Sequence, residues 1–291
     1  MRNLTAQSFK SKKGQGKLVV LTCYDATFAS LISKTSIDAI LVGDSLGNVI
    51  QGRSDTLEVT LDDVIYHTRC VRRGAGQDAH IIADMPFMTF QVSTQEAMRN
   101  AGMLLSVGRA NAVKLEGGVR VAETISRLVQ AGIPVMGHVG LTPQSFNEMG
   151  GFKIQGRDAG AAAAILEDAV AVAEAGAYSI VLEGIPASLA ARITETVGIP
   201  TIGIGASANC DGQVLVLYDM LGMNPDFNPR FLKKYADLAS VIRGAVDTFG
   251  DEVRGGAFPG PQHSFSGEGL YSSATAGSSG AVDARKGGGE S

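Results

Sequence analysis

Short apolar runs that break off into glycine, an acid or a hydroxyl recur along the chain. The clearest is Ala39-Ile40-Leu41-Val42-Gly43-Asp44-Ser45, and residues 19–25, 80–86, 112–118, 135–138, 179–184, 200–207 and 213–219 are built alike. Each run is too short for an independent helix and reads as a buried strand, and helical spacing fills most of the intervals. Eight strands alternating with helices predict an α/β chain folded as a (β/α)8 TIM barrel. In that fold polar residues at the carboxyl ends of the strands converge on one mouth, where chemistry takes place.

The intervals carry their own punctuation. Residues 26–34 can form a short helix, and Leu61, Val64, Ile65, Thr68 and Val71 recur at helical spacing behind Thr60, an N-cap, up to about Gly74. Ser93 and Glu96 form a capping box, Val121, Ile125, Leu128 and Val129 mark a buried stripe that stops at Gly132, and residues 159–176 make an Ala-rich helix, the longest between strands. Phe231, Tyr235, Leu238, Ile242 and Val246 predict an amphipathic C-terminal helix. Residues 1–16 are polar and read as a loose lead-in, while residues 139–157 have no period and read as a functional loop at the mouth. These features predict a single barrel domain over residues 1–265. From residue 266 to 291 the composition turns to Gly, Ser and Ala, which cannot bury enough apolar surface to order itself, so a disordered tail is expected.

Composition narrows the function. The 25 Lys and Arg against 29 Asp and Glu give a net charge of -4, which leaves no basic footprint for nucleic acid. No run of roughly 18 apolar residues is present to span a bilayer. The N-terminus has no apolar stretch like that of a signal peptide, so a cytoplasmic protein is expected. The three cysteines, Cys23, Cys70 and Cys210, fit no metal or redox spacing and read as reduced, space-filling thiols.

The predicted strand ends bring together Tyr24, Asp25, Asp44, Ser45, Asp84, Lys114, Glu116, His138, Glu183, Ser207 and Asp219. A single strand-end Asp is ordinarily a helix cap or a loop anchor. Asp44, Asp84 and Glu116 on three consecutive strands are different, because converging carboxylates need a cation, and oxygen donors suit Mg2+. Lys114 shares a strand face with Glu116, which favours its charged form, so holding a substrate carboxylate or enolate fits it better than Schiff-base chemistry. Glu183 lies in an apolar run that would raise its pKa toward the range of a general base; the alternative is a structural partner for Lys114 or Arg157. His138 reads as a metal ligand, a donor to substrate or a structural residue, and His67 and His80 read as structural. Residues 203–208 loosely match a dinucleotide fingerprint, but a further strand follows them instead of a helix, so glycines for close packing are the better reading.

A series of segments then resembles one family. It comprises Thr22-Cys-Tyr-Asp25, Val42-Gly-Asp-Ser-Leu-Gly47, Val59-Thr-Leu-Asp-Asp63, Ala83-Asp-Met-Pro-Phe87, Val113-Lys-Leu-Glu-Gly-Gly118, Gly137-His-Val-Gly-Leu-Thr-Pro-Gln144, Gly150-Gly-Phe-Lys-Ile-Gln-Gly-Arg157, Gly203-Ile-Gly-Ala206, Asp211-Gly-Gln-Val-Leu-Val216 and Phe258-Pro259. Together, over about residues 3 to 265, they resemble ketopantoate hydroxymethyltransferase (3-methyl-2-oxobutanoate hydroxymethyltransferase). The resemblance implies a Mg2+-dependent transferase with one ion per subunit. Its reaction would move a hydroxymethyl group from 5,10-methylenetetrahydrofolate to 3-methyl-2-oxobutanoate, giving 2-dehydropantoate for pantothenate and coenzyme A synthesis. By position it implies Asp44, Asp84 and Glu116 as metal ligands, Asp44, Ser45, Asp84 and Lys114 as substrate-binding residues, and Glu183 as the catalytic base. It also implies a homo-oligomer, commonly a decamer, whose partners are the small 2-oxo acid and the folate. Glu58, where the family usually has Pro, and Ser54, beside which a His is frequent, depart from its pattern. Competing readings are a Mg2+-dependent 2-oxo acid lyase, which would carry a reactive cysteine that residues 139–157 lack, a Schiff-base aldolase at Lys114, and a non-catalytic binder of 2-oxo acids.

Overall fold

The computed structural model describes residues 4–151 and 153–265. Eight strands, β1 (Leu18–Thr22), β2 (Ala39–Val42), β3 (Ile81–Asp84), β4 (Ala112–Glu116), β5 (Val135–Gly140), β6 (Ser179–Glu183), β7 (Thr201–Ile204) and β8 (Gly212–Leu215), run parallel. They close into a barrel in sequence order, as expected. The helices are α1 (Ala6–Lys10), α2 (Ala26–Ile32), α3 (Leu46–Val49), α4 (Leu61–Ala75), α5 (Thr94–Ser106), α6 (Ala122–Gln130), α7 (Phe146–Met149), α8 (Ala159–Glu174), α9 (Ala187–Thr196), α10 (Leu217–Met220) and α11 (Leu238–Arg254).

Alternation along the strands separates two cores. Inward side chains such as Leu18, Val20, Leu41, Ile82, Met136, Val181, Ile202 and Val214 fill the barrel. Outward ones such as Ile40, Val42, Ile81, Val113, Leu115, Ile180 and Leu182 pack with the helices. Each fully buried Val, Leu or Ile contributes roughly 1.5–3 kcal/mol. Helix caps follow the chemistry of the sequence at Asp25, whose Oδ1 accepts from Phe28 N, and at Asp158, whose Oδ1 accepts from Ala161 N, whereas at Ser93 only half of the expected capping box forms, Oγ accepting from Glu96 N. A reciprocal capping box forms at Thr60 with Asp63. The α4 end is tied down by the buried Arg72, whose guanidinium donates to the carbonyls of Gly76, Ala79 and Arg109 and to Asn111 Oδ1. Within residues 50–60, Glu58 pairs with Arg53 at 3.4 Å and Ser54 donates to Asp55.

Three expectations are corrected. From residue 4 the lead-in is ordered: Thr5 and Ser8 cap α1, and Leu4 and Phe9 are buried in the inner core. Phe9 packs against His80 and, edge-on, against Tyr178, with ring centroids 5.7 and 5.6 Å away. Lys13 then anchors the segment on Asp211 at 2.7 Å. The eighth strand is shorter than the apolar run, because Leu217–Met220 turns into α10, where Leu217 N donates to Thr22 Oγ1. Finally, the C-terminal helix starts at Leu238. Tyr235 N and Leu238 N donate to Met220 O and Leu221 O, so these amides are spent on the end of α10 instead of on a helical turn. Phe231 and Tyr235 stay outside the helix and exposed.

The described residues group into two compact units, one ending at Leu238 and the other beginning at Ala239. The second holds the amphipathic body of α11, with exposed Val241, Ile242, Val246, Phe249 and Val253, and a single turn at Pro261–His263. Within it Phe249 and Phe258 meet edge-on. The tail expected over residues 266–291 lies outside the described residues. Among those described, no helix is long and apolar enough to cross a membrane.

Candidate active site

Parallel pairing sets the site. Register places Asp84 beside Lys114, Glu116 beside His138, and Gly140 beside Glu183, so the carboxyl ends of β3 to β6 present these groups to one mouth. Asp44 and Ser45 join them from the turn after β2. That turn passes through Gly43, where a Cβ would lie 2.8 Å from Ser45 Oγ and 3.3 Å from Asp84 Oδ2, so only glycine lets the backbone come this close. Ser45 shares a 2.7 Å hydrogen bond with the buried hydroxyl of Tyr24, whose backbone carbonyl is met by His67 Nδ1 at 2.6 Å.

Lys114 is the hub. Its Nζ stands 2.9 Å from Asp84 Oδ1 and 3.1 Å from His138 Nδ1. An ammonium can only donate, so His138 Nδ1 accepts and Nε2 carries the ring hydrogen. Nε2 lies 3.3 Å from Glu183 Oε2 without a well-formed hydrogen bond, and Nδ1 lies 3.6 Å from Glu116 Oε1. Burial, and then Lys114, hold the His138 pKa below its ordinary value against the pull of Glu183, which keeps the ring neutral. Asp44, Asp84, Lys114, Glu116 and His138 are all buried, whereas the side chain of Glu183 is 22% exposed. Glu183 therefore faces His138 and solvent, not the sealed apolar pocket its sequence neighbours suggest.

Charge does not balance among these groups. Burial raises Asp84 to about 7; Lys114 opposes the shift and Asp44 adds to it. Glu116 is raised well above the ordinary carboxylate range by burial and then by Asp44. Burial by itself would lower Lys114, but Asp84, Glu116 and Asp44 outweigh it and hold the ammonium charged. Three acids share one cation, and further positive charge would let them all ionise. Buried Glu116 Oε1 has no hydrogen-bond partner, and Asp84 Oδ1 has only the Lys114 ammonium, 2.9 Å away. Among the described residues no three His, Cys, Asp or Glu side chains stand together as a finished coordination sphere. Even so, buried carboxylate oxygens that no neutral donor occupies are the donor chemistry of a hard cation such as Mg2+.

One residue of the site escaped the strand-end inventory. Gln144, in the turn Pro143–Ser145, donates from its backbone N to Glu116 Oε2 and from Nε2 to Asp44 Oδ2. Its signal in the sequence is its place in the aperiodic segment after β5. Other strand-end candidates serve structure: Asp25 caps α2, Ser207 Oγ accepts from Asn209 N in a turn, and Asp219 lies in α10, where burial raises it to about 6. His80, buried against Tyr178, and His67 are structural as expected. Of the fingerprint-like glycines Gly203 packs closely, since a Cβ there would lie 3.1 Å from Cys210 Sγ, whereas Gly205 takes a left-handed φ of +59°. The three cysteines are free.

Comparison with known proteins supplies the family. A family model described as ketopantoate hydroxymethyltransferase matches residues 3–261. A 3-methyl-2-oxobutanoate hydroxymethyltransferase of Syntrophotalea carbinolica is 54% identical over 263 residues, which cover 90% of this chain and 98% of that protein. One of Clostridium beijerinckii is 51% identical over 265 residues, 91% of this chain and 96% of the relative. Among solved structures, 2,3-dimethylmalate lyase, a PEP mutase/isocitrate lyase superfamily member, superposes with a TM-score of 0.57 at 16% identity, covering 92% of this chain and 94% of its own. Phosphonopyruvate hydrolase gives a TM-score of 0.59 at 11% identity, over 90% and 93% of the two chains. At such identities these structures share the fold alone. The matched residues include every group gathered at the mouth, and the chain belongs to the ketopantoate hydroxymethyltransferase family.

Proposed function

We propose that the protein transfers a hydroxymethyl group from 5,10-methylenetetrahydrofolate to 3-methyl-2-oxobutanoate, forming 2-dehydropantoate for pantothenate synthesis. The observation that carries this reading is a charged, buried Lys114 among three acids, paired with Asp84 and leaving Glu116 Oε1 buried without a donor, in a chain of this family. Asp44, Asp84 and Glu116 would hold Mg2+, which when bound supplies the missing positive charge and polarises the 2-oxo group.

The rest falls to the chain itself. Lys114 and Ser45, the latter oriented by Tyr24, hold the oxo acid, with the ammonium against the oxygen on which charge develops. Glu183 removes the C3 hydrogen as a proton: the C3–H pair moves into the C2–C3 bond and the C2–O pair onto oxygen, giving an enolate. His138 keeps its Nε2–H toward Glu183 because Lys114 fixes the tautomer, and so steadies the carboxylate before and after it gains the proton. Water adds to the methylene carbon of the folate as one C–N bond breaks, and the second C–N bond then breaks to release tetrahydrofolate and formaldehyde. C3 attacks that carbonyl carbon while its oxygen takes the proton back from Glu183, giving the hydroxymethyl group. The protein acts in the cytoplasm as a homo-oligomer, a decamer by resemblance, and light scattering gives the subunit number.

Purified protein with the oxo acid, the folate and Mg2+ is expected to produce 2-dehydropantoate, and EDTA to stop it. Faster cleavage of hydroxy-dicarboxylates than hydroxymethyl transfer would overturn the reading in favour of a lyase. Borohydride trapping of substrate on Lys114, insensitive to EDTA, would overturn it in favour of a Schiff base.

A further inference from the structure

Gln144 touches no strand end by sequence, yet it is nearly sealed, 5% exposed, at the centre of the acidic cluster. Its backbone N–H and both side-chain polar atoms are engaged. The backbone N–H donates to Glu116 Oε2 at 3.0 Å, and Nε2 donates to Asp44 Oδ2 at 2.9 Å and to Met85 O at 3.0 Å. Oε1 accepts from Gln91 Nε2 at 3.2 Å. The orientation of the amide follows from these partners: turned over, its oxygen would face two acceptors, Asp44 Oδ2 and Met85 O, and its nitrogen would face a donor.

The consequence concerns which carboxylate oxygens are left over. Gln144 takes one oxygen of Asp44 and one of Glu116, and Asp44 N takes Asp84 Oδ2 at 3.0 Å. Each acid thus spends one oxygen on a neutral donor. The second oxygen of Glu116 has no hydrogen bond, and that of Asp84 meets only the Lys114 ammonium. Only an amide with two N–H groups and one carbonyl meets this set of neighbours. Serine or threonine would be too short, and lysine or arginine would bring a charge that competes with a bound cation.

We propose that Gln144 is a positioning residue that presets the carboxylates of Asp44 and Glu116 for a divalent cation, by fixing which oxygen of each is turned away from it. This rests on the reading that Asp44, Asp84 and Glu116 hold Mg2+. Partners of metal-ligating groups commonly set affinity within about 10- to 100-fold. Gln144 also belongs to the segment after β5, so the same bonds tie that segment to the cluster.

The test is calorimetric titration of Mg2+ into the purified full chain, without substrate, for wild type, Gln144→Ala, Gln144→Met and Gln91→Ala. Met keeps the volume and removes the donors, so it answers for any folding loss in Ala, and thermal melting compares the folded states. The expected result is a dissociation constant raised about 10- to 100-fold in both Gln144 variants, in line with the usual effect of such partners. Gln91→Ala, which leaves both donors in place, should change it less. Recovery of the C3 hydrogen exchange rate at saturating Mg2+ would support positioning, since excess metal does not repair a misfolded mouth. Unchanged Mg2+ affinity in Gln144→Met would overturn the proposal while leaving the metal reading intact. Absence of Mg2+ binding in wild type would overturn both.

Discussion

His80 offers a quantitative test of the inner core, because a buried neutral histidine makes the fold sensitive to acid. It is fully buried, with Nε2 3.0 Å from Tyr178 Oη and its ring against Phe9. Burial, and then the nearby Arg72, lower its pKa from 6.5 to about 4. In the unfolded chain the ring takes a proton near 6.5, whereas in the folded chain it resists until about 4. Between these values the unfolded state binds more protons, so stability is full above the upper one, falls as pH drops through the window, and has lost its share below the lower one. At about 1.4 kcal/mol per pKa unit, this depression is worth about 3 kcal/mol. The assay is urea unfolding of wild type and His80→Gln from pH 7.5 to 4.5, taking the difference between the two so that titrations common to both cancel. Relative to the variant, wild type should lose most of that amount across the range. A difference that stays flat with pH would refute the assignment of His80 as a neutral core residue.

Other consequences are direct. Phe9→Ala removes the inner-core contact with His80 and Tyr178 and should cost about 3–5 kcal/mol in denaturant stability; a loss under about 1 kcal/mol would show that the N-terminal segment does not close the barrel core. At Gly118 a Cβ would fall 1.9 Å from Asp168 Oδ1, which accepts from Val119 N. Gly118→Ala should therefore lower the melting temperature by several degrees, consistent with the roughly 1–3 kcal/mol of an overpacked site; an unchanged melt would mean that α8 does not press on this turn. Lys114→Met should raise the KM for the oxo acid by about 10- to 100-fold, the loss of one charge-assisted hydrogen bond; an unaltered KM would remove Lys114 from substrate binding.

The barrel was readable because its strands are buried on both faces and so appear as unbroken apolar runs with polar ends. Asp44, Asp84, Lys114, Glu116 and Glu183 were legible for the same reason, since strand ends in a closed parallel barrel share one mouth. Reading failed where burial or pairing is decided by distant residues. Leu4 and Phe9 sit among polar neighbours, and their burial depends on the open end of a barrel that no local pattern reveals. The apolar run at the eighth strand continues into α10 because Leu217 N finds Thr22 on the first strand, 195 residues away in sequence. Tyr235 and Phe231 keep helical spacing with Leu238, yet their segment gives its amides to α10. Gln144 was invisible as an individual because a loop glutamine has no periodic signature, although its segment was marked by having none. Ile180 and Leu182, the apolar neighbours of Glu183, face the outer core, whereas its carboxylate meets His138 at the mouth.

The measurement that bears most directly on the central claim is proton NMR of 3-methyl-2-oxobutanoate in D2O with this protein and Mg2+, following the C3 hydrogen in wild type and in Glu183→Gln, with and without tetrahydrofolate. Loss of the signal in wild type, stopped by EDTA and absent in Glu183→Gln although that variant still binds Mg2+ and the oxo acid, is the predicted result. A signal that persists in wild type even with tetrahydrofolate, or that exchanges equally fast in Glu183→Gln, would contradict the account.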